Sequence, residues 1–108
     1  YYPHHSSHPQ HELARRQRSH GGTSLSFTSP GGRDEAFALL KQLELIDISN
    51  NLGDSKSLAC HPASTTHEGI GPEGRDVMGI GENLIRLSLG LEHKDDLIGD
   101  LAHALGAL

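Results

Sequence analysis

The ten residues NLIRLSLGLE, 83–92, constrain what this chain can fold into more than any other stretch. Side chains alternate across an extended strand with a period of two. Ile85, Leu87, Leu89 and Leu91 therefore share one face, and Leu84, Arg86, Ser88 and Gly90 the other. An apolar face of that kind needs neighbouring strands and a second layer to cover it. Two helix-period segments can provide the layer. RDEAFALLKQLELI, 33–46, keeps Ala36, Leu39, Leu40 and Leu43 at helical spacing, with Asp34 and Glu35 at its N-terminal end, where the helix dipole favours acids. DDLIGDLAHAL, 95–105, sets Leu97, Ile98, Leu101, Ala102 and Leu105 on its inner side behind Asp95 and Asp96.

The remaining segments complete the layers. SHPQHELARRQ, 7–17, is predicted as a helix capped by Ser7 with Pro9 in its first turn, where a missing N–H costs nothing. GGTSLSFTSPGG, 21–32, frames a short alternating strand with Thr23, Leu25 and Phe27 on one side. LIDIS, 45–49, reads as a short strand, PEGRDVMG, 72–79, as a short helix, and 50–67 between them as one long polar loop. Leaving aside that short, glycine-weakened helix, the order is helix, strand, helix, strand, loop, strand, helix. That is an α+β fold: a small antiparallel or mixed sheet with helices on one face.

Leu, Ile, Val and Phe make up 25 of the 108 residues, just above the level of about 20% below which disorder is the better expectation. One domain with a small core follows. A net charge of −5 argues against nucleic acid as a partner. The single Cys excludes an internal disulfide and suits a reducing, cytoplasmic compartment. No apolar run approaches 18 residues, so no membrane partner is expected. The chain begins YYPHH rather than with Met, which reads as a fragment or a processed end.

Arg86 lies mid-strand opposite the apolar face. It is either a solvated or paired strand residue, or an anion anchor whose planar fork matches a carboxylate. The loop is either a solvated connection or the lining of a polar pocket. Its Asn50, Asn51, Gly53, Asp54, Ser55 and Ser57 are short side chains that bond locally and accept unusual dihedrals. His4, His5, His8 and His11 follow no familiar zinc spacing, and Cys60 stands alone beside His61, so no metal is expected. Nothing in the sequence supplies a base for Cys60 as a nucleophile.

SNNLGDSKSLACHPASTTH, 49–67, followed by NLIRLSLGLEHKDDLIGDLAHAL, 83–105, resembles the C-terminal domain of the pyridoxal-phosphate-dependent Cys/Met metabolism enzymes, the cystathionine γ-synthase-like family. YYPHHSSHPQHELARRQ and GGTSLSFTSPGGRDEAFALL resemble the segments preceding that motif, so the resemblance covers nearly the whole chain. The NNLGD wording is similar to the family's sulfhydrylases acting on O-succinylhomoserine, where the lyases carry an SLGG form. The resemblance implies the C-terminal domain of a fold-type I transferase, residues 1–108, whose large cofactor-binding domain, with its lysine, is absent. It implies that Arg86 holds the substrate α-carboxylate and that Asn51 stands at the Ser of the SLGG form. Asn50, Leu52, Gly53, Ser57 and His61 become residues of an active-site loop, none of them catalytic. The implied cofactor is pyridoxal 5′-phosphate, an electron sink. The implied reaction is γ-replacement of O-succinylhomoserine or O-acetylhomoserine by sulfide to give homocysteine; the alternatives are a fragment of a cystathionine γ-synthase or γ-lyase, or a non-catalytic remnant of the same fold that binds a partner chain. The implied partners are the amino-acid substrate, sulfide, the chain's own N-terminal domain, and further copies in a homotetramer.

Overall fold

A computed structural model describes residues 1–106. The order is α1 (His11–Gln17), β1 (Ser24–Thr28), α2 (Arg33–Gln42), β2 (Asp47–Ile48), β3 (Leu58–Cys60), α3 (Gly71–Val77), β4 (Leu84–Ser88) and α4 (Lys94–Leu105), with 3-10 turns at Pro62–Ser64 and Glu68–Ile70. The four strands form one mixed sheet in the order β1-β4-β3-β2. β4 is antiparallel to both neighbours, with Phe27 opposite Ile85 on one side and Cys60 opposite Arg86 on the other. β2 runs parallel to β3.

The alternation of β4 places the core. Ile85 and Leu87 are buried with Ala59 from β3, Ala36, Leu39 and Leu40 from α2, and Leu97 and Ala104 from α4; Leu25 and Phe27 pack against them. α2 and α4 also touch each other, so the helical layer closes over one sheet face. The fold is the expected α+β arrangement with a mixed sheet.

Several elements differ from the sequence expectation, each for a local reason. The first helix starts at His11 rather than behind Ser7. His5, His8 and His11 each bond back three residues, and the His8 ring takes the Gln10 N–H, which uses up the groups a longer helix would need. α2 stops at Gln42 instead of running to Ile46. Its continuation is diverted because the Asp100 carboxylate accepts the backbone N–H groups of Glu44 (2.8 Å), Leu45 (3.0 Å) and Ile46 (2.9 Å). The predicted long loop contains β3, three residues buried on both sides. A strand without a solvated face shows no alternation, so its LAC triplet carries no period-two signal.

β4 ends at Ser88, short of the predicted 92, and its second face is not open to water: Leu84 and Ser88 are buried as well. Leu91 lies beyond the strand and is 86% exposed. In α4 the inward stripe is Leu97, Asp100, Leu101 and Ala104, one residue round from the predicted stripe, and Ile98, Ala102 and Leu105 face outward. The three amide bonds to Asp100 decide that rotation. They satisfy the carboxylate only when position 100 faces the α2–β2 connection, and burying a charged group without partners costs far more than exposing Ile98.

Candidate functional site

The second face of β4 carries the site. Loop residues 50–57 run alongside Arg86, Ser88 and Gly90, and each of these positions meets the loop in turn. Arg86 Nη2 donates to the Asn50 carbonyl at 2.9 Å. Gly53 N–H donates to Ser88 Oγ at 2.9 Å, with Gly53 at φ +72°, a left-handed conformation that glycine adopts without strain. Leu91 N–H donates to the Ser55 carbonyl at 2.8 Å. Gly90 N–H donates to Ser57 Oγ at 2.8 Å. A Cβ at Gly90 would overlap the Ser55 carbonyl oxygen, so the close approach of the two backbones requires glycine there. Within the loop the Asp54 carboxylate accepts the Lys56 N–H at 3.1 Å and the Ser55 hydroxyl at 3.3 Å, which holds its pKa below the usual range.

Arg86 is half-buried. Among the described residues its guanidinium makes one hydrogen bond, to Asn50, and no ion pair. A guanidinium has five N–H donors, so most of its fork stays available. Cys60 is its cross-strand partner. Burial pushes the Cys60 thiol up, against the lowering influence of the Arg86 charge, so it stays a thiol and not a nucleophile. The arrangement is suited to receive a small carboxylate. The cation is oriented by a carbonyl, lacks an acidic partner among the described residues, and sits where solvent is partly excluded and charge-assisted bonds are stronger.

The residues singled out from sequence separate into three places. Asn50, Asn51, Leu52 and Gly53 lie in the loop span joined to Arg86, all exposed. The Asn51 N–H is tied to Ser49 Oγ at 3.2 Å. Ser57 is fully buried at the far end of the loop, where its N–H and Oγ bond Glu92. His61 is also buried, but its ring stands edge-on to Phe37 at 4.9 Å. Its Nε2 faces the Glu82 carbonyl at 2.6 Å and so carries the proton, and Nδ1 accepts from the Ser64 hydroxyl at 2.7 Å. With both nitrogens used, His61 is a strut of the 61–82 segment. A mostly apolar cavity of about 250 Å³ between Phe37, Leu40, Ile48, Asn50, Cys60 and His61 joins that segment to the loop. Sequence reasoning left Cys60, Ser88, Gly90 and Glu92 without a place in the site. The signal for the last three was the same alternation that singled out Arg86: positions 86, 88, 90 and 92 share one side. Among the described residues no three His, Cys, Asp or Glu could hold a metal ion, and no helix is long and apolar enough to cross a membrane.

Known proteins resemble the chain over nearly its whole length. Residues 1–106 match the family described as Cys/Met metabolism PLP-dependent enzyme. The chain is 53% identical over 108 residues to an O-succinylhomoserine sulfhydrylase of Mycobacterium tuberculosis, with 96% of the chain covered. It is 49% identical to an O-succinylhomoserine sulfhydrylase of Pseudomonas aeruginosa, with all of the chain covered. It spans 27% of the length of each of these relatives. Among solved structures it superimposes on a cystathionine gamma synthase from Xanthomonas oryzae pv. oryzae, in complex with aminoacrylate and cysteine, with a TM-score of 0.93 and 38% identity, over 99% of this chain and 28% of that one.

Proposed function

We propose that this chain, which belongs to the Cys/Met metabolism PLP-dependent enzymes, is the C-terminal, substrate-anchoring domain of an O-succinylhomoserine sulfhydrylase that makes homocysteine. The observation that carries the reading is Arg86: a half-buried cation without an acidic partner among the described residues, held by the carbonyl of the loop that would face the substrate. The two sulfhydrylases at 49–53% identity support the substrate class.

The described residues do not fit the attachment of pyridoxal phosphate. Lys41, Lys56 and Lys94 are all exposed. The Asp47 carboxylate bonded to Lys56 raises its pKa, the opposite of what an amine needs to act as a nucleophile. The cofactor, which supplies an electron sink when bound, is therefore assigned to the part of the protein that lies outside these 108 residues. Titrating the purified 108-residue chain with pyridoxal phosphate, followed by borohydride, is expected to leave no stoichiometric lysine adduct. A specific adduct on one of the three lysines would move the cofactor site into this domain.

In this reading the chain's own work is to bind and orient. Arg86 forks the substrate α-carboxylate while Asn50 keeps the guanidinium aimed, and the loop covers the amino acid from one side. Fixing a reacting amino acid in this way is worth much of a barrier, because misplacement by about 1 Å can cost on the order of a hundredfold. Assay of the complete protein with O-succinylhomoserine and sulfide is expected to yield homocysteine; no turnover of that ester would overturn the substrate assignment. Asn51 is exposed in the loop beside Arg86, at the position of the Ser in the SLGG form. Asn51→Ser is expected to change the ratio of homocysteine to the α-keto acid of elimination. An unmoved ratio would make Asn51 a structural loop residue.

A further inference from the structure

We infer that Glu92 is a positioning residue for the carboxylate anchor, acting from the far end of the loop. The inference rests on the reading of Arg86 above. Its first observation is the bonding at Ser57. That side chain is completely buried, and its N–H and hydroxyl both donate to Glu92, at 2.9 and 2.7 Å, one to each carboxylate oxygen. Ser57 Oγ in turn accepts the Gly90 N–H. One acidic side chain thus closes a ring between the end of the loop and the segment after β4.

The second observation is the order of the contacts. Asn50, Gly53, Ser55 and Ser57 meet Arg86, Ser88, Leu91 and Glu92 in the same sequence along the two segments. The loop is held at both ends and in the middle, and only the first contact touches the guanidinium. Without the Glu92 bonds Ser49 and Ser57 stay tied to β3 and β2 through the Ala59 carbonyl and the Asp47 N–H. The span 50–56 between them then keeps only single neutral hydrogen bonds to Ser88 and Leu91, worth about 1 kcal/mol each, so the Asn50 carbonyl is held less firmly against the guanidinium. Glu92 is four positions beyond β4, with no contact to the guanidinium among the described hydrogen bonds and ion pairs, so its effect on substrate passes through the loop.

The test uses the complete enzyme and O-succinylhomoserine. Glu92→Gln puts an amide N–H₂ against one of the two Ser57 donors and breaks half of the ring. Gly90→Ala reaches the same end sterically, by pushing the Ser55 carbonyl away while Glu92 stays intact. Both are expected to raise KM for the ester at least fivefold, with kcat falling less than twofold and cofactor absorbance unchanged. Partial misfolding would do the reverse: it lowers the number of active sites, hence apparent kcat, and leaves KM alone. In an Arg86→Ala background Glu92→Gln is expected to add nothing further to KM, because a positioning residue has no one left to position. If Arg86→Ala raises KM and neither Glu92→Gln nor Gly90→Ala does, Glu92 has no positioning role and the anchor stands. If Arg86→Ala itself leaves KM unchanged, the anchor reading falls and this inference falls with it. Additive effects of Glu92→Gln and Arg86→Ala would overturn the inference alone.

Discussion

Replacing Arg86 with Ala in the complete enzyme is expected to lower kcat/KM for O-succinylhomoserine by far more than tenfold, with the cofactor absorbance intact. Arg86 is half-buried, is oriented by the Asn50 carbonyl, and has no acidic partner among the described residues. The substrate carboxylate would be its natural counter-ion. Hydrogen bonds to charged partners are worth about 1.5–3 kcal/mol each, and about 1.4 kcal/mol is a factor of ten. Losing a two-bond fork therefore falls on the order of a hundredfold or more. Arg86→Lys keeps the charge but presents a point cation without a planar fork, so it should recover part of the loss, mainly in KM. Steady-state kinetics on the three proteins decides it. Unchanged kcat and KM in the alanine variant would leave Arg86 as a support for the loop and nothing more.

The largest effect on stability is expected from Asp100. Its carboxylate is 8% exposed and accepts three consecutive backbone N–H groups, those of Glu44, Leu45 and Ile46. Asp100→Ala leaves three amide donors without a partner, at about 1–3 kcal/mol each where water cannot reach them. Allowing for water entering near exposed Glu44 and Leu45, the loss should be about 3 kcal/mol. Asp100→Asn should lie between, since its one carbonyl oxygen can still accept while its N–H₂ faces a donor. Urea unfolding and amide exchange at residues 44–46 measure both. Wild-type stability with fast exchange would refute the account, and so would no acceleration at those three amides.

The same group sets a pH dependence. Burial alone would raise the Asp100 pKa, but the three N–H bonds outweigh it and hold the carboxyl below its ordinary value. A carboxyl depressed in the folded state contributes stability above its unfolded value of about 3.9. That contribution disappears as pH falls through the lower folded value. Asp100→Asn should flatten this acid limb while leaving the neutral plateau lower throughout. An identical acid profile in the variant would place the titration on other carboxylates.

The sequence carried the parts of the fold that depend on local pattern. The alternation around Arg86 placed β4, its core face and the candidate anchor together, since one period-two register determines all three. The helical spacing of Ala36, Leu39 and Leu40 placed α2 on the sheet. The polar composition of 50–67 marked a loop, of which 50–57 is one and 58–60 is β3, and the shared wording with the family pointed to loop and strand together as the candidate site. β3 stayed hidden because three residues buried on both sides have no periodicity to read.

What only the tertiary structure decided were the places where one side chain answers to a distant segment. Asp100 looks like a surface acid of an amphipathic helix, yet its bonds to residues 54–56 positions away stop α2 and turn α4 by one residue. Glu92 looks like a solvated turn residue, yet it closes the loop 35 positions back through Ser57. A repeating pattern is visible in sequence because each turn or pleat repeats it. A single acceptor meeting a single donor across the fold occurs once, and its partner is known only when the chain has packed.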